Sequence, residues 1–207
     1  YFQLLIGTSD DREGLLADIT GVLAANGIDI QGAEIGTAVD GFGFNHFYGF
    51  VREKVENLEA LKQSVTKDMA EVVARIKSVE EIFREKGKPY RFVKKQRGFL
   101  DRKPEVEFLR DTEIFGKKAS VLEIRATDRV GLIHMVSKAL HRRFDVNIEK
   151  VLIETYAEGA RDTYFINIHG DALSGEEQDE VRSYLLDVLS QDEVEGASLE
   201  FAYDVKA

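Results

Sequence analysis

The residues best suited to chemistry occur twice. Asp11-Arg12-Glu13-Gly14-Leu15 and Asp128-Arg129-Val130-Gly131-Leu132 share the spacing Asp-Arg-x-Gly-Leu. Each follows a strand-like apolar run and precedes a run with helical spacing, so each is a strand-to-helix turn. Backbone N–H groups at a helix start are unpaired, point outward and suit a carboxylate. Gly14 and Gly131 let a ligand approach the backbone closely. Asp11 and Asp128 offer an acid to an ammonium group. Asp29 and Asn147, equivalent residues opening the next strand, add polar side chains, and the Asn147 amide both donates and accepts. By this reading they lie beside the end of the first strand. Together these are the groups that a free amino acid requires. The competing reading is structural: the aspartates cap helices and the glycines make turns.

No other chemical set emerges. The chain has no cysteine, hence no thiol nucleophile, disulfide or cysteine metal site. The histidines are His46, His134, His141 and His169, without HExxH spacing. There is no phosphate loop, no GxGxxG between strand and helix, and no GxSxG elbow. No catalytic residue, metal ligand or cofactor is therefore expected in this chain. His46, alone on a strand, reads as a packed residue. His134, on the helix after the second turn, is placed to touch a ligand.

A duplication holds these turns in place. Asp11, Arg12, Gly14 and Leu15 match the second copy at an offset of 117, and Ile30/Ile148, Ile35/Ile153, Thr37/Thr155, Gly41/Gly159 and Phe47/Phe165 match at 118. The same offset equates His46 with Tyr164. Each copy reads β-α-β-β-α-β, the ferredoxin-like unit. Strands are expected at Phe2–Thr8 and Ser120–Ala126, at Ile28–Thr37 with Phe42–Val51, at Val146–Tyr156 with Arg161–Ile168, and last at Glu105–Arg110 and Ser198–Asp204. Leu15, Leu16, Ile19, Val22 and Leu23 form one apolar helix face, and Gly27 is placed to end that helix in the left-handed conformation. The expected class is α+β: two ferredoxin-like domains, 1–112 and 113–207, with antiparallel sheets and helices on one face. Apolar spacing from Val55 to Phe83 predicts one long helix, about 56–86, in the first copy.

Lys86–Lys103 carries eight basic residues against one Asp, while the remaining chain has a net charge of −17. It reads as a connector before the strand at 105–110, lying across acidic surfaces. Its alternative is a dock for an acidic partner or a phosphate. The whole chain, at 207 residues and a net charge of −10, is a poor partner for nucleic acid or anionic membrane. It has no membrane-spanning run. A cytoplasmic location follows as an expectation, as does a piece of a larger protein. Asp40–Phe47, DGFGFNHF, partly mimics an RNA-recognition strand, but it opens on Asp and the second copy lacks the pattern.

The Asp-Arg-x-Gly-Leu turn, with IDI or VNI about 15 residues on, resembles the ACT domain, a small-molecule-sensing module of amino-acid metabolism. That family commonly has Pro at the positions of Glu13 and Val130, so these turns are less rigid than usual. The resemblance implies a ligand where two such domains pair side by side. It would lie between the first turn and the start of the second strand. It implicates Asp11, Glu13, Gly14, Leu15 and Asp29, and Asp128, Val130, Gly131, Leu132 and Asn147. The tandem with its basic connector, then VLEIRATDRVGLIHMVSKAL and a hairpin ending DTYFI, is similar to the C-terminal region of the PII uridylyltransferase/uridylyl-removing family. This likeness is strongest over 106–190. It implies a regulatory pair that senses glutamine and directs catalytic domains acting on the PII protein, with pairing inside the chain or in a homodimer. The alternatives are a protein-interaction module with empty sites and a sensor of another amino acid.

Overall fold

The computed structural model describes residues 2–8, 12–37, 43–51, 57–94, 103–156 and 159–200. The first copy supplies β1 (Phe2–Thr8), α1 (Leu15–Ala25), β2 (Ile28–Thr37), β3 (Gly43–Val51), α2 (Leu58–Val73) and α3 (Val79–Glu85). Then come β4 (Arg91–Val93), β5 (Glu105–Ile114), β6 (Lys117–Ala126), α4 (Leu132–Phe144), β7 (Asn147–Tyr156), β8 (Gly159–Asn167), α5 (Gly175–Ser190) and β9 (Glu193–Glu195). A 3-10 helix, Gly196–Glu200, closes the described chain.

The two copies share one antiparallel sheet of seven strands, ordered β1-β3-β2-β7-β8-β6-β5. They meet where β2 pairs with β7, from Gly32 opposite Glu154 to Ile35 opposite Val151. α1 and α4 pack on each other over this seam, and Ile19, Leu23, Phe47, Met135, Leu140 and Tyr164 beneath them are fully buried. The helices lie on one face and leave the other open. Gly27, at φ 72, ends α1 as expected, and Asp145, at φ 53, stands at the same place after α4.

Three expectations fail for identifiable reasons. The long helix of about 56–86 is two helices. Arg75 turns left-handed at φ 57, and a capping box between Ser78 and Glu81 starts α3 afresh. The apolar spacing continues across the break, so periodicity alone conceals it. The expected last strand of the first copy, Glu105–Arg110, instead pairs with β6 at the far edge of the sheet. Phe115 and Gly116, at φ 52 and 78, make a two-residue turn that joins β5 to β6 at once. This local hairpin closes at far less entropic cost than a return to β1. The last strand expected at Ser198–Asp204 begins as the 3-10 helix, and its remainder lies outside the described residues.

A fourth correction concerns register. Phe47 faces Ala33 and Tyr164 faces Val151, so Phe47 matches Tyr164, not Phe165, and Asn45 matches Asp162. His46 is therefore not the counterpart of Tyr164. Between the paired residues Thr37 and Gly43 the first copy has one residue more than the second has between Thr155 and Ala160, which restores the offset to 117.

The basic connector lies on acids over its described part. Lys86 meets buried Asp68 at 2.7 Å, Arg91 meets Glu193 at 2.8 Å and Lys94 meets Asp192 at 3.4 Å. Residues 95–102 lie outside the described part. No helix among the described residues is long and apolar enough to cross a membrane.

Candidate functional site

Because β2 runs antiparallel to β7, the start of each copy's second strand lies beside the other copy's strand–helix turn. Two related cavities result. Site A joins Asp128, Gly131 and Leu132 of the second turn to Ile28, Asp29 and Ile30 of β2. Site B joins Gly14 and Leu15 of the first turn to Val146, Asn147 and Ile148. The remaining walls also correspond, with Thr20 and Asp162 in site A standing where Ser137 and Asn45 stand in site B. Asp29 and Asn147 therefore meet the opposite copy's turn, not their own, which corrects the expectation drawn within a single copy.

The glycines behave as the sequence suggests. Gly14 and Gly131 are the N-caps of α1 and α4, at φ 78 and 80, and neither cap carries a side-chain hydrogen bond. Gly131, not Asp128, thus stands at the N-cap of α4. Asp11 lies outside the described residues. Glu13 is exposed at the mouth of site B, and Val130 packs against the core without lining either cavity. Asn147 spends its amide on Glu149, at 2.7 Å.

An aromatic ring stands against each glycine. In site A the ring of Phe92, from β4, lies 2.6 Å from where a Cβ on Gly131 would be. In site B the ring of His141 lies 2.7 Å from the same point on Gly14. The space left is about 10 Å³ in site A and 30 Å³ in site B, room for a water or two. Site B borders a groove of about 410 Å³ that shares Arg12, Gly14, Ala17 and His141 with it.

Site A is the more heavily charged. His134 lines it, with Nδ1 2.6 Å from the Ala17 carbonyl and Nε2 2.8 Å from the Tyr90 hydroxyl. The carbonyl only accepts, so Nδ1 carries the proton and Nε2 accepts from Tyr90. Lys138 Nζ donates to the same hydroxyl at 2.7 Å. Burial, with the Lys138 charge, lowers the His134 pKa to about 4 against the opposing Ala17 bond, so the ring is neutral. Asp162 is 1% exposed, and neither of its oxygens has a hydrogen-bond partner of normal geometry. Burial first, then the Asp128 charge, pushes its pKa well above the usual carboxylate range. The one-residue register shift hid Asp162 from the sequence reading. His141 was also missed: it gathers with Glu13 and Asp145, one donor atom from each within 4.8 Å of the others.

Residues 3–81 match the ACT domain. Over 169 residues the chain is 29% identical to the bifunctional uridylyltransferase/uridylyl-removing enzyme of Rhodospirillum rubrum (strain ATCC 11170 / ATH 1.1.1 / DSM 467 / LMG 4362 / NCIMB 8255 / S1). That match takes in 79% of this chain and 17% of that enzyme, so the chain spans about a sixth of its relative's length. No solved structure matches. The first copy therefore carries the ACT domain signature, on a chain similar to part of a bifunctional uridylyltransferase/uridylyl-removing enzyme.

Proposed function

We propose that the chain is a regulatory module that binds a free amino acid between its two copies, with glutamine the first candidate. In the larger relative it would bias uridylylation and deuridylylation of the PII protein. The observation that carries this reading is the pair of corresponding cavities, each built from one copy's turn and the other copy's second strand. A ligand there contacts both copies at once. It regulates only if it favours one arrangement over another. Movement of the Phe92 or His141 ring away from its glycine would give the second arrangement. Phe92 belongs to the connector between the copies, so its departure would be felt by β4 and its partner β9.

The test is a thermal-shift screen of the chain against the twenty amino acids, followed by calorimetry. A ligand at 100 times its Kd adds roughly 2.7 kcal/mol, a rise of roughly 5–10 °C at this size. A selective response to glutamine supports the full reading, and a response to another amino acid keeps the sensor but removes glutamine.

A second reading is a protein-interaction module with empty sites. The open sheet face favours it, because Leu5, Tyr48, Phe50, Leu152 and Tyr156 are exposed there. A flat screen together with a stable complex with PII would decide for it.

A further inference from the structure

We propose that Asp162 is the counter-ion for a primary ammonium group bound in site A, and that this separates site A from site B, where Asn45 holds the same register. The proposal rests on the interface reading above, from which it takes the location of the site. Among the described residues Asp162 is the carboxylate with both oxygens buried and without a hydrogen-bond partner of normal geometry. It is buried on β8 and lines the cavity. The charges acting on it, Asp128 and Glu154, are both negative, and only the Glu154 backbone offers it support. A buried carboxylate in that setting stays neutral or acquires a cation.

The surroundings favour a cation that donates hydrogen bonds. Asp29, Asp128 and Thr155 line the same small cavity and are acceptors. The other titratable groups there are Arg129 and His134. Arg129 donates Nη2 to the carbonyls of Leu189 and Gln191, both at 3.1 Å. His134 is neutral and bonded at both nitrogens. An ammonium group has three donors for these oxygens. A carboxylate placed there would face the Asp128 charge and supply no cation to Asp162.

The proton balance gives the test its signature. Burial beside like charges favours the protonated form of Asp162 in the empty site. An ammonium ligand requires the carboxylate, so binding releases that proton to solvent. Calorimetry on the full chain at pH 7 would use methylammonium chloride, with tetramethylammonium chloride at equal ionic strength as control. Two buffers of different ionisation enthalpy read the proton. The expected result is methylammonium binding with release of about one proton, no response to tetramethylammonium, and at least a tenfold loss in Asp162→Asn. Should that variant fail to fold, proton release by the wild-type chain decides alone. Absence of methylammonium binding, binding without proton release, or equal binding by Asp162→Asn overturns the proposal. An amino acid that binds Asp162→Asn as well as wild type sinks the counter-ion but leaves the sensor. Methylammonium binding through Asp162 with a flat amino-acid screen does the reverse.

Discussion

Sites A and B have the same parentage and different closures. Each sets a left-handed glycine against a ring, but the rings come from different places. Phe92 reaches site A from a three-residue strand and is 2% exposed, within a cluster that includes Phe83, Tyr90 and His134. His141 closes site B from the last turn of α4, is only half-buried and borders the large groove. Where site A has Ala24, site B has His141, and where site B has Ala17, site A has His134. Site A is small, lined by Asp29, Asp128 and Asp162, and its turn glycine is set against a ring of the connector. The other has become open-mouthed and neutral at the Asp162 position. The duplication therefore does not imply two equal ligand sites.

The sharpest way to break this comparison is to remove the seals. Phe92→Ala deletes a buried ring from the aromatic cluster and is expected to cost about 3–5 kcal/mol. The loss would be read as a lowered urea midpoint at constant slope. The matching His141→Ala removes a half-exposed ring and should cost well under that. Equal losses would mean that the two closures are equivalent and that site A is not specially sealed.

Acid should separate the sites next. Buried His134 titrates near 4 in the fold and near 6.5 when unfolded. Between those values the unfolded chain binds more protons, so stability falls as pH falls. The loss approaches about 3 kcal/mol by pH 4. His134→Gln should flatten that limb in denaturation measured from pH 7 to 4. Asp162 acts with the opposite sign. Its pKa is raised in the fold, so the stability it contributes is present at low pH and lost as pH rises through the folded value. Asp162→Asn should gain stability toward pH 8 relative to wild type and steepen the fall toward pH 4, because the opposing contribution is gone. An unaltered limb in His134→Gln would assign acid sensitivity to the carboxylates instead.

Much of this was legible in the residues. The doubled Asp-Arg-x-Gly-Leu turn located both loops, and Gly14, Leu15, Asp29, Asp128, Gly131, Leu132 and Asn147 do line the cavities. β1 and β2 match their expected ranges, because a short run rich in apolar and β-branched residues is a local signal. What was hidden was non-local. The side-by-side pairing of β2 and β7 decides that Asp29 belongs to the other copy's turn, and nothing within one copy encodes it. A single residue in a hairpin loop shifted the register of β3 against β8, and with it the identity of Asp162 as the counterpart of Asn45. Phe92 read as part of a basic connector because charge dominates that segment. Its apolar role depends on β9, about 100 residues later.

The glycines offer the finest comparison, since backbone strain is nearly the same at both. Gly14 and Gly131 differ by only two degrees in φ, at 78 and 80. Placing Ala at either position therefore carries a similar backbone penalty of about 1 kcal/mol or more. The difference between the two variants isolates what the new methyl meets. At Gly131 it meets Phe92 at 2.6 Å with Ala24 at 3.5 Å behind, and Phe92 is confined by its aromatic neighbours. At Gly14 it meets His141 at 2.7 Å, a side chain bordering the groove with room to rotate. Gly131→Ala should thus be the more destabilising by about 1–2 kcal/mol, the usual cost of overpacking a confined contact. Thermal unfolding of the two variants side by side measures this difference. A larger loss at Gly14 would place the rigid closure at site B, and the search for the controlling ligand would then begin at the groove.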